Sequence, residues 1–169
     1  MLQTARDFAI AAHGDQMYGD RPYSFHLDAV ADLAAPYGAE AVVIAYLHDT
    51  AEDTQATIGE IESRFGPKVA ACVALVTDEP GANRKERKAK TYAKLAAVRG
   101  VNELALLVKV ADRLANVRAC IQDRKQSLWQ LYRGEHVAFR TSAYRVGQCD
   151  PMWTELDALL ADGAFQEAA

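Results

Sequence analysis

Apolar residues recur every three or four positions along most of this chain, a spacing typical of helices with one buried face. Helices are predicted over residues 2–16, 24–35, 39–51, 57–65, 67–76, 84–94 and 102–118, with two or three more between 128 and 160. No segment alternates polar and apolar residues over a sustained length, so no strand is expected. The pattern predicts an all-α fold, a bundle of about eight to ten helices.

Start and stop signals mark the ends of these helices. The residues expected to cap helix N-termini are Ser24, Asn102, Asp150 and Thr57, the last in a capping box with Glu60. Pro67 and Pro151 suit the first turn of a helix. The clearest loop is predicted at 78–83, where the sequence DEPGAN combines proline and glycine.

One predicted buried helix ends in a run of ionisable residues. The apolar stretch 41–47 is followed by His48, Asp49, Glu52 and Asp53. Buried carboxylates are costly unless they are paired, hydrogen-bonded or bound to a metal. If the helix continues, His48 and Glu52 share a face, as do Asp49 and Asp53. A metal beside His48 and Asp49 and a bound water one turn later, near Glu52 and Asp53, would account for all four residues. A solvated acidic helix end is the alternative.

Two further positions carry polar side chains that packing does not explain. His26 falls in the first turn of the second predicted helix, and Asp112 lies among apolar neighbours in the helix at 102–118. Two histidines and two carboxylates suit a divalent metal such as Mn²⁺, Fe²⁺ or Zn²⁺. Such a metal lowers the pKa of a bound water, which Glu52 and Asp53 are placed to orient or deprotonate.

Composition and charge narrow the functional classes. The 169 residues suit one domain, and the net charge of -4 argues against general nucleic-acid binding. No apolar run approaches the roughly 20 residues of a membrane span, and no signal peptide is predicted. The three cysteines are widely separated, which is typical of reduced thiols. We therefore expect a cytoplasmic protein with no membrane partner.

A basic segment follows the predicted loop. It contains Lys85, Arg87 and Lys88 and extends to Lys94. A solvated helix face explains such a composition. The alternative is that one or two of these cations meet the phosphates of a substrate.

Taken together, the motifs resemble those of the HD superfamily of metal-dependent phosphohydrolases. Within it, the chain resembles the hydrolase domain of bifunctional alarmone synthetase/hydrolases and the stand-alone small alarmone hydrolases. The matching segments, in the family's order, are 22–26 (PYSFH), 47–54 (LHDTAEDT), 65–66 (FG), 76–78 (VTD) and 108–118 (VKVADRLANVR). The match covers about residues 3–120.

The resemblance implies a fold, a cofactor and a reaction. The fold is an HD-domain helical bundle in a single domain at 1–169, with its catalytic core at about 3–120 and C-terminal helices at about 127–161. The implied cofactor is one Mn²⁺, with Fe²⁺ or Zn²⁺ as alternatives. The implied reaction removes the 3′-pyrophosphate of guanosine tetra- or pentaphosphate and releases pyrophosphate with GDP or GTP.

The resemblance also implies roles for individual residues. The implied metal ligands are His26, His48, Asp49 and Asp112. Glu52 and Asp53 would activate the attacking water. Asn116 would contact the nucleotide sugar or phosphate, and Lys85, Arg87 or Lys88 would meet phosphates.

One departure from the family's pattern concerns base recognition. The family usually has an Arg-Lys pair shortly before the PYxxH segment, where this chain has Met17 and Tyr18. Tyr18 and Arg21 become the candidates for substrate contact there, with Arg6 as a further one. A different phosphorylated nucleotide, for instance NADPH, and a nucleotide-binding regulator without turnover stay open as alternatives. The expected partner is a small nucleotide, and a homo-oligomer is possible.

Overall fold

The computed structural model describes residues 2–161 and Phe165, and their regular secondary structure is almost entirely helical. The α-helices are α1 Leu2–His13, α2 Ser24–Ala34, α3 Ala39–Leu47, α4 Thr50–Asp53, α5 Ile58–Phe65, α6 Pro67–Val76, α7 Arg84–Ala96, α8 Leu104–Gln122, α9 Gln126–Ala143 and α10 Asp150–Leu159. Short 3₁₀-helices lie at Ala35–Tyr37 and Gly100–Glu103. The all-α prediction is confirmed.

Helix α8 is the centre of the bundle. It packs against α2, α3, α6, α9 and α10, and all but a few of its residues are buried. With neighbouring helices on nearly every side, α8 has little face to give to solvent. Polar residues on α8, such as Asp112, therefore lie inside the protein rather than on its surface.

The prediction of one helix over 39–51 is wrong. Helix α3 ends at Leu47, and α4 begins at Thr50. Between them, Asp49 has φ −96° and ψ −5°, outside the regular helical values. Asp49 is the N-cap of α4, and the backbone N–H of Asp53 donates to its carbonyl oxygen at 2.9 Å, so helical spacing resumes from Asp49 rather than continuing unbroken from α3.

A small hairpin replaces the loop expected after the first helix. Helix α1 ends at His13 because Gly14 takes a positive φ of 53°, which residues with a side chain rarely adopt. Strands β1 Met17–Tyr18 and β2 Arg21–Pro22 then pair antiparallel across Gly19. Two residues are too few for an alternating pattern, so the sequence did not indicate these strands.

The capping predictions have mixed outcomes. The capping box of Thr57 and Glu60 is present. Ser24, Asn102 and Asp150 do not cap: α2 and α10 have Tyr23 and Cys149 at the N-cap, and a 3₁₀-turn precedes α8. A further cap, not predicted from the sequence, is on α7, where the Asn83 side chain accepts from the backbone N–H of Glu86.

The predicted loop and the three thiols are as the sequence indicated. The loop at 78–83 is confirmed, and Cys72, Cys120 and Cys149 are free and buried. Among the described residues, no helix has both the length and the apolar content that a membrane crossing requires.

Candidate metal centre

Four side chains that are distant in sequence converge at one point between α2, α3 and α8. Nε2 of His26 lies 3.3 Å from Nε2 of His48 and 3.5 Å from Oδ2 of Asp49. Nε2 of His48 lies 2.9 Å from the same Asp49 oxygen. Oδ1 of Asp112 lies 3.3 Å and 3.7 Å from the two histidine nitrogens. The structure thus brings together all four predicted ligands.

The backbone explains why these side chains meet. His26 is in the first turn of α2, His48 and Asp49 occupy the break between α3 and α4, and Asp112 is near the middle of α8. Nδ1 of His48 donates to the carbonyl oxygen of Ala45 at 2.7 Å, so its Nε2 keeps a lone pair for a ligand bond. Both histidines are buried.

The donor set fits a divalent metal. His26, His48 and Asp49 offer ligand atoms that all lie within 4.8 Å of one another. Two imidazole nitrogens that face each other and share two carboxylates are well satisfied by a single cation among them. Imidazole with carboxylate suits Mn²⁺, Fe²⁺ or Zn²⁺ rather than a thiolate-bound metal.

Protons compete for the same atoms. Burial lowers the pKa of His48, but the Asp49 charge and the hydrogen bonds with Asp112 and Asp49 outweigh it and raise that pKa to about 10. Burial raises the pKa of Asp112, yet the hydrogen bonds with His26 and His48 and the Lys109 charge hold it well below its ordinary value. Metal binding at this centre is therefore expected to release protons.

A buried lysine supports the acidic side of the centre. Nζ of Lys109 donates to the carbonyl oxygen of Val76 at 2.8 Å and lies 3.6 Å from Oδ2 of Asp112 and 3.9 Å from Oδ1 of Asp78. Lys109 falls within the segment 108–118, but the sequence did not indicate a role for it. A lysine in the same apolar run as Asp112 was the available signal, since a buried cation needs a nearby carboxylate.

Glu52 and Asp53 lie at the exposed rim of the centre and point in different directions. Oε2 of Glu52 accepts from the backbone N–H of Asp78 at 2.9 Å. Oδ2 of Asp53 accepts from Nε2 of Gln16 at 2.9 Å and from the Tyr23 hydroxyl at 3.1 Å. Partial burial raises the pKa of Glu52, although a backbone hydrogen bond and the Lys109 charge oppose the shift. A carboxylate with a raised pKa suits proton transfer from water.

Tyr18 lies directly over the centre. Its ring stacks on the His26 ring with centroids 4.8 Å apart and planes 7° apart. Its hydroxyl donates to Oδ1 of Asn116 at 2.8 Å, and Nδ2 of Asn116 donates to Oδ1 of Asp112 at 2.5 Å. The structure therefore joins two predicted substrate contacts, Tyr18 and Asn116, to each other and to the ligand set.

Of the basic residues predicted to contact substrate, some are bound near the metal centre and others are exposed. Nζ of Lys88 bonds Oδ2 of Asp78 at 2.7 Å, which ties it to the Lys109 side of the centre. Lys85 and Arg87 are exposed, and within the described residues their side chains make no hydrogen bond or ion pair. Arg21 pairs with Asp123 and lies 4.0 Å from the centroid of the Phe25 ring.

The C-terminal helices also reach toward this region. Glu135 on α9 accepts from Nε of Arg84 at 2.7 Å and lies 3.2 Å from Nη2 of Arg113. Arg113 follows Asp112 on α8 and is buried. Helix α9 therefore holds α7 and α8 together on the side of the metal centre.

Comparisons with known proteins agree with this geometry. The family model described as HD domain matches residues 5–147. A guanosine-3′,5′-bis(diphosphate) 3′-pyrophosphohydrolase from Aquifex aeolicus is 34% identical over 168 residues, which are 98% of this chain and 23% of that protein. The enzyme of the same name, MESH1, from Danio rerio is 36% identical over 125 residues, which are 70% of this chain and 67% of that protein.

A solved structure shares the fold. It is titled "A metazoan ortholog of SpoT hydrolyzes ppGpp and plays a role in starvation responses", and it superposes with a TM-score of 0.72 at 23% identity, covering 92% of this chain and 93% of that one. The chain spans less than a quarter of the length of the Aquifex relative. With a family model matching most of its residues, the chain belongs to the HD domain family.

Proposed function

We propose that this protein is a metal-dependent phosphohydrolase that removes the 3′-pyrophosphate of guanosine tetra- or pentaphosphate, releasing pyrophosphate and GDP or GTP. The observation that carries the proposal is the convergence of His26, His48, Asp49 and Asp112 on one point. The names of the relatives supply the substrate class. The catalytic core is assigned to about 3–120, with the helices at about 127–161 as support.

The four converging residues would hold one divalent metal, for which we propose Mn²⁺. When bound, such a metal polarises a phosphoryl oxygen and lowers the pKa of water. Glu52 and Asp53 each keep one carboxylate oxygen without a hydrogen bond from the described residues, Oε1 and Oδ1 respectively. These oxygens are available to orient the attacking water and to take its proton.

Substrate contacts are proposed on the side of Tyr18 and α7. Asn116 can exchange its bond with Tyr18 for one with the nucleotide. Lys88 is half-buried beside Asp78, where a phosphate group would compete with the carboxylate for its ammonium. Lys85 and Arg87 are free to reach a phosphate that extends beyond the centre.

A different phosphorylated nucleotide is the second candidate substrate, and Tyr18 is the observation in its favour. An aromatic side chain held by His26 and Asn116 stands at the position of the family's basic pair. It offers no positive charge to phosphates. NADPH is therefore the second substrate to test.

The test is chromatography of guanosine tetraphosphate after incubation with protein and Mn²⁺, with and without a chelator. We expect metal-dependent formation of GDP and pyrophosphate, loss of turnover in His48→Ala and Asp112→Ala, and normal turnover in His136→Ala. His136 lies on α9 and its Nε2 contacts Oδ1 of Asp157 rather than any residue of the metal centre, so it serves as the matched histidine control. Turnover that survives His48→Ala in metal-replete buffer would show that the centre is assigned wrongly. Phosphate release from NADPH with unchanged alarmone would transfer the proposal to the second candidate.

A further inference from the structure

A chain of contacts connects Asp53 to a buried histidine outside the metal centre. Nε2 of Gln16 lies 2.9 Å from Oδ2 of Asp53, and Oε1 of Gln16 lies 2.8 Å from Nδ1 of His13. The His13 ring stacks on the Tyr23 ring at a centroid distance of 4.3 Å. The Tyr23 hydroxyl lies 2.6 Å from Oδ2 of Asp49 and 3.1 Å from Oδ2 of Asp53.

The carboxylate determines the direction of these hydrogen bonds. Ionised Asp53 only accepts, so the amide nitrogen of Gln16 must face it and donate. The amide oxygen of Gln16 then faces His13, whose Nδ1 must carry a proton. The structure thus assigns His13 a proton on Nδ1. Its Nε2 is buried and has no hydrogen-bond partner among the described residues.

The contacts from Asp53 through Gln16 to His13, called the relay below, are held rigidly even though Asp53 is exposed. His13 is 7% exposed and lies on the last turn of α1. The backbone N–H of Gln16 donates to the His13 carbonyl at 3.0 Å, and the Gln16 carbonyl accepts from the Tyr23 N–H at 3.0 Å. Gln16 is therefore fixed on both sides of its backbone. Its side chain can hold an exposed carboxylate that water would otherwise leave free to rotate.

We infer that Gln16 and His13 are positioning residues that fix the orientation of the Asp53 carboxylate. Gln16 and Tyr23 both bond Oδ2, so Oδ1 has no hydrogen bond from the described residues and is the oxygen left for the water that Asp53 is proposed to activate. The inference rests on the proposed function for its kinetic consequence. Small misplacements of a reacting group can cost about a hundredfold in rate.

The kinetic test replaces Gln16 by Leu, which keeps the size of the side chain and removes both hydrogen bonds. We expect kcat for guanosine tetraphosphate to fall about ten- to a hundredfold while KM and Mn²⁺ affinity change less than about threefold. His13→Asn, whose amide can replace the Nδ1 donor, is expected to retain more of kcat than His13→Leu. Gln3→Leu is the matched control. Gln3 lies on α1, the helix of His13, and its side chain donates to another carboxylate, that of Asp7, at 2.8 Å and at an exposed site.

A second measurement separates failure of this inference from failure of the proposed function. The chain has four histidines, so ¹⁵N spectra of labelled histidine can show which ring nitrogen of His13 is protonated. We expect the Nδ1-protonated form in the wild type and loss of that preference in Gln16→Leu. If the wild type does not hydrolyse the alarmone, the proposed function fails and these spectra alone decide the relay. Identical His13 signals in both proteins, or equal kcat in Gln16→Leu and Gln3→Leu, would overturn the inference.

Discussion

Replacing Lys109 by Met is expected to destabilise the protein far more than removing a surface lysine. Lys109 is 6% exposed, and its ammonium lies 3.6 Å from Asp112 and 3.9 Å from Asp78. Methionine keeps most of the side-chain volume and removes the charge. The two carboxylates then lose a shared cation, although Asp78 keeps its bond with Lys88.

The distances set the size of the effect. At an effective dielectric constant of roughly 20, each of the two charge pairs contributes about 4–5 kcal/mol of attraction. Desolvation of the ammonium offsets a large part of this sum. Burial lowers the pKa of Lys109, but Asp112 and Asp78 outweigh it, so the pKa is raised. Removing one partner of such a buried group costs about 3–5 kcal/mol, and the melting temperature should fall by about 6–20 °C.

The direction of the pKa shift also defines the pH range of the test. A raised lysine pKa means that the stabilisation is fully present below the ordinary value of 10.5 and is lost as pH rises through the folded-state value. Measurements near pH 7 therefore report the full effect.

Urea denaturation followed by tryptophan fluorescence, in the presence of chelator, is the assay. Lys68→Met is the control, because Lys68 pairs with Glu40 at the surface and such pairs contribute about 0–1 kcal/mol. A loss in Lys109→Met no larger than in the control would refute the reasoning. Added Mn²⁺ should recover part of the loss, since a cation at the centre also neutralises Asp112.

Other predictions concern the centre and one helix cap. Mn²⁺ at a hundred times its dissociation constant should stabilise the wild type by about 2.7 kcal/mol in thermal unfolding, and His48→Ala should abolish that gain. Burial raises the pKa of Glu52, so ionising this carboxylate costs more in the folded than in the unfolded protein. The free energy of unfolding of the wild type should therefore fall relative to that of Glu52→Gln as pH rises above 4.5, by less than about 1 kcal/mol. Urea titrations with chelator should show that this difference vanishes at lower pH. Thr57→Ala should cost about 0.5–2 kcal/mol, against no change in exposed Ser63→Ala.

The sequence predicted the elements whose signals are local. Helical periodicity identified the buried helices, and the Thr57–Glu60 box, which needs only neighbouring residues, was predicted correctly. The caps at Ser24, Asn102 and Asp150 were wrong because other residues take the N-cap position or a 3₁₀-turn intervenes. Cap side chains bond only when the backbone turns at that residue, and the turn depends on packing.

The candidate site was predicted as a set of residues rather than as an arrangement. His26, His48, Asp49 and Asp112 stood out because they are polar side chains in apolar segments. Of the two expected pairs, Asp49 and Asp53 do lie side by side, since the Tyr23 hydroxyl donates to both carboxylates at 2.6 Å and 3.1 Å. The pairing of His48 with Glu52 assumed one continuous helix, which the break between Leu47 and Thr50 interrupts. Glu52 instead bonds the backbone of Asp78, and Asp53 bonds Gln16.

By itself, the sequence determined the helical class, the buried character of α8 and which side chains required a partner, because these follow from periodicity and the cost of burying charge. Only the tertiary structure decided which partners they found. Gln16 meets Asp53 and Tyr18 meets Asn116 across 37 and 98 positions of the chain. Such contacts depend on how helices and the short hairpin pack against one another, and spacing along a single helix carries no information about that.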